Sequence, residues 1–98
     1  MTVVMWVRCQ PDVYAFEIDT SVEQLNALGS STLLRGRDAL PTCDGTRQRT
    51  IVHVSPDPGD SFHPGIAEIG VYVGFYNSEL DQDLEATDAV RVRLRFAG

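Results

Sequence analysis

Apolar and polar residues alternate along much of this chain, which is typical of β-strands that bury one face. Segments with strand character, either alternating or rich in β-branched residues, lie at 2–9, 13–19, 47–54, 66–76 and 89–96. Only Gln10-Pro11-Asp12 separates the first two segments, so we predict that they form a hairpin. The first segment is apolar on both faces, and we therefore expect it inside its sheet.

The segment that follows the second strand predicts a short helix. Thr20-Ser21-Val22-Glu23 matches a capping box, and Gly29 supplies a left-handed stop. Val22, Leu25 and Leu28 would form the buried stripe. Residues 30–45 carry little pattern beyond a short strand near Leu33. We predict an α+β fold in one domain, 1–98, with a mostly antiparallel sheet of about five strands and one short helix packed on it.

Composition narrows the class of protein. Of 98 residues, 43% are hydrophobic and 22% charged, which is ordinary globular usage. No apolar run approaches the length of a membrane span, and Met1 to Arg8 lacks a secretory leader. We therefore expect a cytoplasmic protein without a membrane partner. In that reducing compartment, Cys9 and Cys43 are expected to be free thiols, one in the core and one at the surface.

The net charge of −6 is spread over both halves of the chain. A protein that binds phosphates without sequence preference needs a positive footprint, so direct nucleic-acid binding is disfavoured. An acidic field favours a basic protein surface as the partner. Arginines at 91, 93 and 95 alternate with inward Val90, Val92, Leu94 and Phe96, and we expect them to pair with carboxylates across strands.

The densest charge lies between the last two strong strands. From Ser78 to Asp88, five carboxylates occur with no basic residue: Glu79, Asp81, Asp83, Glu85 and Asp88. The segment fits either an edge strand or one helical turn, and it either binds a basic partner or only keeps the domain soluble.

A second candidate surface is aromatic. In the long strand, Val71, Val73 and Phe75 belong to an unbroken apolar face that we expect to point inward, and Tyr72 and Tyr76 share the other face. Trp6 lies on the second face of the first strand. If Trp6 and the two tyrosines are neighbours, they form an exposed face suited to partner docking or to a homodimer.

Catalytic and metal-binding patterns are weak. The spacing C-x33-C-x9-H-x9-H contains no close ligand pair, and Ser30-Ser31-Thr32 does not form a nucleophile elbow. The acidic run lacks the glycine and the final glutamate of a calcium loop. We expect no enzyme, no metal and no cofactor.

We therefore expect a small acidic interaction domain that inhibits or antagonises a partner by occupying its basic surface, including one that binds nucleic acid. Inhibitors, antitoxins and phage-encoded antagonists act in this way. One alternative is a subunit of a homo-oligomeric or viral assembly. Another is a small-ligand binder or enzyme with a site near His53 and His63.

Overall fold

A computed structural model describes residues 1–94, which form seven strands and no helix. The strands are β1 (Thr2–Arg8), β2 (Tyr14–Gln24), β3 (Ala27–Leu34), β4 (Arg47–His53), β5 (Ser55–Pro56), β6 (Gly65–Asn77) and β7 (Gln82–Leu94). The positions predicted for Arg95 and Phe96 lie outside the described residues.

The strands form two antiparallel sheets that pack face to face. Sheet A contains β1 and β4, and sheet B has the strand order β5-β3-β2-β6-β7. Two apolar clusters fill the space between the sheets, one around Val3, Val22 and Val52 and the other around Val7 and Ile18. Because strand side chains alternate, each sheet presents a second face outward.

The α+β prediction is wrong, because the segment expected as a helix forms the end of β2 and most of β3. Thr20, Val22 and Gln24 are buried while Ser21 and Glu23 are exposed, which is the period of a strand. Pairing with both β3 and β6 satisfies the backbone of β2 on both edges. A helix of about eight residues has marginal stability by itself, so this pairing prevails.

The two residues proposed to delimit the helix have other roles. Gly29 lies within β3, where a Cβ would stand 2.6 Å from the Phe62 ring and 2.5 Å from the Ser55 carbonyl oxygen. The chain reverses at Leu25 and Asn26 instead, and Asn26 has a φ of 64°. Asparagine tolerates this left-handed conformation, which makes it a turn residue.

The predicted hairpin between the first two strands is also wrong. β1 pairs with β4, from Thr2 opposite His53 to Arg8 opposite Arg47. β1 has no other strand partner among the described residues, so it is an edge strand and not an interior one. Its second apolar face lies on the outside of sheet A.

The expectation of two free thiols is contradicted by a disulfide between Cys9 and Cys43. Cys9 follows β1 and Cys43 precedes β4, so the bond joins the chain at one end of sheet A. Gly45 reinforces the junction, since its amide donates to the Cys9 carbonyl at 2.9 Å. The pairing of β1 with β4 is what brings the two cysteines together.

The β6–β7 hairpin is the longest feature of the molecule. Each strand has 13 residues, which corresponds to about 43 Å of extended chain and accounts for most of the 48 Å long axis. At its tip, Asn77 accepts hydrogen bonds from the amides of Glu79 and Leu80 at 3.0 and 3.1 Å. β7 therefore begins at Gln82, and the acidic segment becomes mainly an edge strand.

Candidate functional site

The outer face of sheet B gathers carboxylates and aromatic rings from three adjacent strands. The register places Glu17 of β2 beside Gly74 of β6, with Glu85 of β7 on the other side. One row further, Tyr76 lies opposite Asp83. We call this surface the acidic–aromatic face, and its residues are Tyr14, Phe16, Glu17, Asp19, Tyr72, Tyr76, Asp81, Asp83 and Glu85.

A β-bulge and a glycine fix the aromatic part of this face. The pairing of β2 with β6 shifts between Ala15 and Glu17, so Phe16 is an extra residue on the outer side. Its ring lies over Gly74, where a Cβ would come within 2.7 Å of the ring carbon Cζ. The Gly74 position must therefore stay without a side chain for the Phe16 ring to occupy this place.

The tyrosines continue this surface towards the tip of the hairpin. The rings of Tyr14 and Tyr76 are 5.5 Å apart and inclined by 56°, a geometry that aromatic pairs favour. The guanidinium of Arg35 lies 4.2 Å from the centre of the Tyr14 ring and borders the face. The Tyr76 hydroxyl donates a hydrogen bond to Asp81, which ties the tip to the strand.

The carboxylates concentrate negative charge, and none of them forms an ion pair within residues 1–94, where the only ion pair joins Arg37 to Asp38. The nearest cations in the sheet register are Arg91 and Arg93, which lie further along the same outer side of β7. Burial, followed by the charges of Glu85 and Glu17, raises the pKa of Tyr72. Hydrogen bonding to Asp19, together with burial and repulsion from it, raises the pKa of Glu17. Both shifts disfavour further negative charge at this place.

The structure brings together five of the eight site residues predicted from sequence. Tyr72, Tyr76, Asp81, Asp83 and Glu85 lie on the acidic–aromatic face. Glu79 is in the turn, and Asp88 alternates to the other side of β7. Trp6 is on the outer face of sheet A, so the condition that Trp6, Tyr72 and Tyr76 are neighbours is not met.

Glu17 and Asp19 belong to this face and were not predicted as site residues. Both lie in the alternating segment 13–19, and their acidic side chains in that pattern were the available signal for a solvent-facing position. Nothing in the sequence pattern showed that β6 pairs with β2, and that pairing sets these carboxylates beside Tyr72.

The outer face of sheet A has the opposite charge. Cross-strand neighbours there are Arg8 with Arg47 and Trp6 with Arg49. The Arg47 guanidinium lies 4.7 Å from the centre of the Trp6 ring. We call this surface the basic face, and its residues are Val4, Trp6, Arg8, Arg47, Arg49 and Ile51.

An open apolar cleft of ≈ 560 Å³ lies between the free edge of β1 and the strands β6 and β7. Sheet A has two strands and does not extend over β7, so Leu84 and Val90 on the inner side of β7 stay 42% and 52% exposed. Asp88 also lines this cleft. The cleft is therefore a further exposed surface, and it shares Val4, Trp6 and Arg8 with the basic face.

The two histidines make separate structural contacts. His53 Nδ1 lies 3.2 Å from the Thr2 hydroxyl. The His63 ring lies 3.0 Å from the Leu25 carbonyl and 3.1 Å from the Pro64 carbonyl, and these contacts raise its pKa. Residues 1–94 contain no cluster of three metal-ligating side chains.

No helix in the part of the chain that the structure describes is long and apolar enough to cross a membrane.

No protein-family model, curated protein or solved structure matches this chain.

Proposed function

We propose that this chain is a small acidic interaction domain that binds a basic surface of a partner protein through its acidic–aromatic face. By occupying that surface it would inhibit or antagonise the partner, including a partner whose basic surface binds nucleic acid. The observation that carries the proposal is a set of five carboxylates around partly buried aromatic rings, with no arginine in an ion pair with any of them within residues 1–94.

The combination of groups suits a surface rich in arginine. A carboxylate accepts two parallel hydrogen bonds from a guanidinium, and an aromatic ring offers it a flat stacking surface. Tyrosine also supplies contact area with few rotatable bonds, which limits the entropy lost on binding. Glu85 and Tyr72, on neighbouring strands, could meet the same guanidinium from two sides.

Strand geometry favours binding without rearrangement. Phe16 is seated over Gly74, and Tyr76 is held by Asp81, so both rings are already ordered in the free chain. Preformed side chains lose less entropy when a partner docks. The concentrated negative charge would also steer a basic partner towards the face and speed association.

The Cys9–Cys43 disulfide bears on the compartment in which the domain acts. The sequence favoured the cytoplasm, but the Cys9–Cys43 disulfide favours oxidising surroundings, because disulfides are rare in reducing compartments. We therefore propose that the domain works in an oxidising compartment.

The test measures association with an immobilised basic protein, lysozyme, at an ionic strength of about 0.15 M. The acidic-face variant Glu17→Gln/Asp83→Asn/Glu85→Gln removes three charges from the face. Asp19 and Asp81 are kept because they hold Thr32 and Tyr76. We expect association to be slower by at least about tenfold, because nearby charge dominates electrostatic steering.

The matched control Glu23→Gln/Asp57→Asn/Glu68→Gln also removes three charges, all from exposed positions outside the face. We expect it to slow association less than about threefold, since charges beyond a Debye length of about 8 Å from the contact are largely screened at this ionic strength. Equal slowing by both variants would show that net charge alone governs binding, and the proposal would fail.

A further inference from the structure

The basic face stands out in a protein whose net charge is −6. The chain has eight arginines, and three of them, Arg8, Arg47 and Arg49, project from the same side of the two-stranded sheet A. All three are exposed, and none forms an ion pair in the described residues. Trp6 in the middle of this face remains 56% exposed and Ile51 46%.

This face has the features that the acidic–aromatic face requires of a partner. It carries arginines for the carboxylates and an indole ring for the tyrosines, on one side of a two-stranded antiparallel ribbon. The Arg47 guanidinium already lies over the Trp6 ring, 4.7 Å from its centre. Complementary charge on two surfaces steers their encounter and fixes their relative orientation.

The two faces point in opposite directions. Trp6 alternates with the buried Val7 of β1, and Tyr72 alternates with the buried Val73 of β6, and both buried residues lie between the sheets. One molecule therefore cannot bring its own basic face to its own acidic–aromatic face. A second copy can do so, and each contact leaves one free face of either kind.

We propose that the basic face binds the acidic–aromatic face of a second copy, so that chains associate head to tail. The inference rests on the proposed function and names one partner for it. A contact between two different surfaces closes into a ring or continues as a filament, unlike the symmetric contact of a twofold dimer.

The contact is small. Seven residue pairs of sheet A extend about 23 Å along the strands. A two-stranded ribbon of this length offers a contact area at the low end of the range for specific interfaces. We therefore expect self-association at micromolar or higher concentrations, weakened by salt.

The first measurement is the weight-average mass by sedimentation equilibrium over increasing concentration. We expect the basic-face variant Arg47→Glu/Arg49→Glu to self-associate at least about tenfold more weakly than the control Arg91→Glu/Arg93→Glu. Both variants change the net charge equally, and all four arginines are exposed. Trp6, the only tryptophan, gives a second readout. Its emission should shift to the blue with increasing concentration in the wild type and in the control, but not in the basic-face variant.

The deciding experiment mixes two variants that are each monomeric. The acidic-face variant keeps an intact basic face, and the basic-face variant keeps an intact acidic–aromatic face. Together they have one productive contact, so we expect a one-to-one dimer that does not grow further. A mixture that stays monomeric at concentrations where the wild type associates would overturn the inference.

Other outcomes separate this inference from the proposed function. If the wild type remains monomeric but binds lysozyme through its acidic–aromatic face, the proposed function stands and head-to-tail association fails. Equal self-association of the basic-face variant and its control would place the contact elsewhere, for instance in the cleft beside β1, and would also overturn the inference. A monomeric wild type that binds a single-stranded oligonucleotide only with Arg47 and Arg49 intact would assign the basic face to nucleic acid instead.

Discussion

Reduction of the Cys9–Cys43 disulfide should destabilise the domain strongly. The two cysteines are 34 residues apart, so the bond closes a long loop in the unfolded chain. The chain-entropy relation gives about 4 kcal/mol of stabilisation for a loop of this length. In a domain of about 100 residues, 1 kcal/mol shifts Tm by about 4–8 °C, so we expect a fall of about 15–30 °C.

The measurement is thermal unfolding followed by circular dichroism, with and without a phosphine reductant. The variant Cys9→Ala/Cys43→Ala should unfold near the reduced wild type and should not respond to reductant, which controls for other effects of the reagent. A fall in Tm of less than about 5 °C in the reduced wild type would contradict the reasoning, because the bond would then contribute about 1 kcal/mol or less.

Three further changes test the fold by chemical denaturation. Ile18→Ala removes a fully buried side chain from the centre of β2 and should cost about 2–5 kcal/mol, while Ile66→Ala, on a half-exposed side chain, should cost less than about 1 kcal/mol; equal losses would show that the faces are misassigned. Asn26→Ala should destabilise the β2–β3 turn by about 1 kcal/mol and Asn26→Gly should not, because φ is positive there; the reverse order would contradict the turn. The raised pKa of His63 means that its stabilisation is complete below pH 6.5 and is lost as the pH rises through the raised value, so the wild type should lose stability relative to His63→Gln as the pH rises above 6.5; parallel pH profiles would refute this.

Alternation along β6 was enough to predict which of its side chains face the core. Val71, Val73 and Phe75 were predicted inward and Tyr72 and Tyr76 on the other face, as observed. The period of two fixes this property along a regular strand. In β2 the bulge at Phe16 interrupts the period, so that Phe16 and Glu17 both lie on the outer face, and simple alternation does not hold there.

The strand partners could not be predicted, because they depend on contacts between distant parts of the chain. β1 pairs with β4, whose partner residues are 39 to 51 positions further along the chain, and the short connection to β2 favoured the wrong hairpin. The helix prediction failed at Thr20 and Gln24, two polar residues that are buried and so obscure the strand pattern. Gln24 is accommodated because its amide exchanges two hydrogen bonds with the His63 backbone, at 2.7 and 3.0 Å.

Binding through the acidic–aromatic face is tested most directly by mapping amide chemical shifts of the labelled protein while lysozyme is added. We expect the largest changes at Tyr72, Tyr76 and Glu85 and at their neighbours on β2, with little change around Arg49 on sheet A. Changes centred on Arg49, or on Val90 in the cleft, would contradict the assignment of this face as the binding surface.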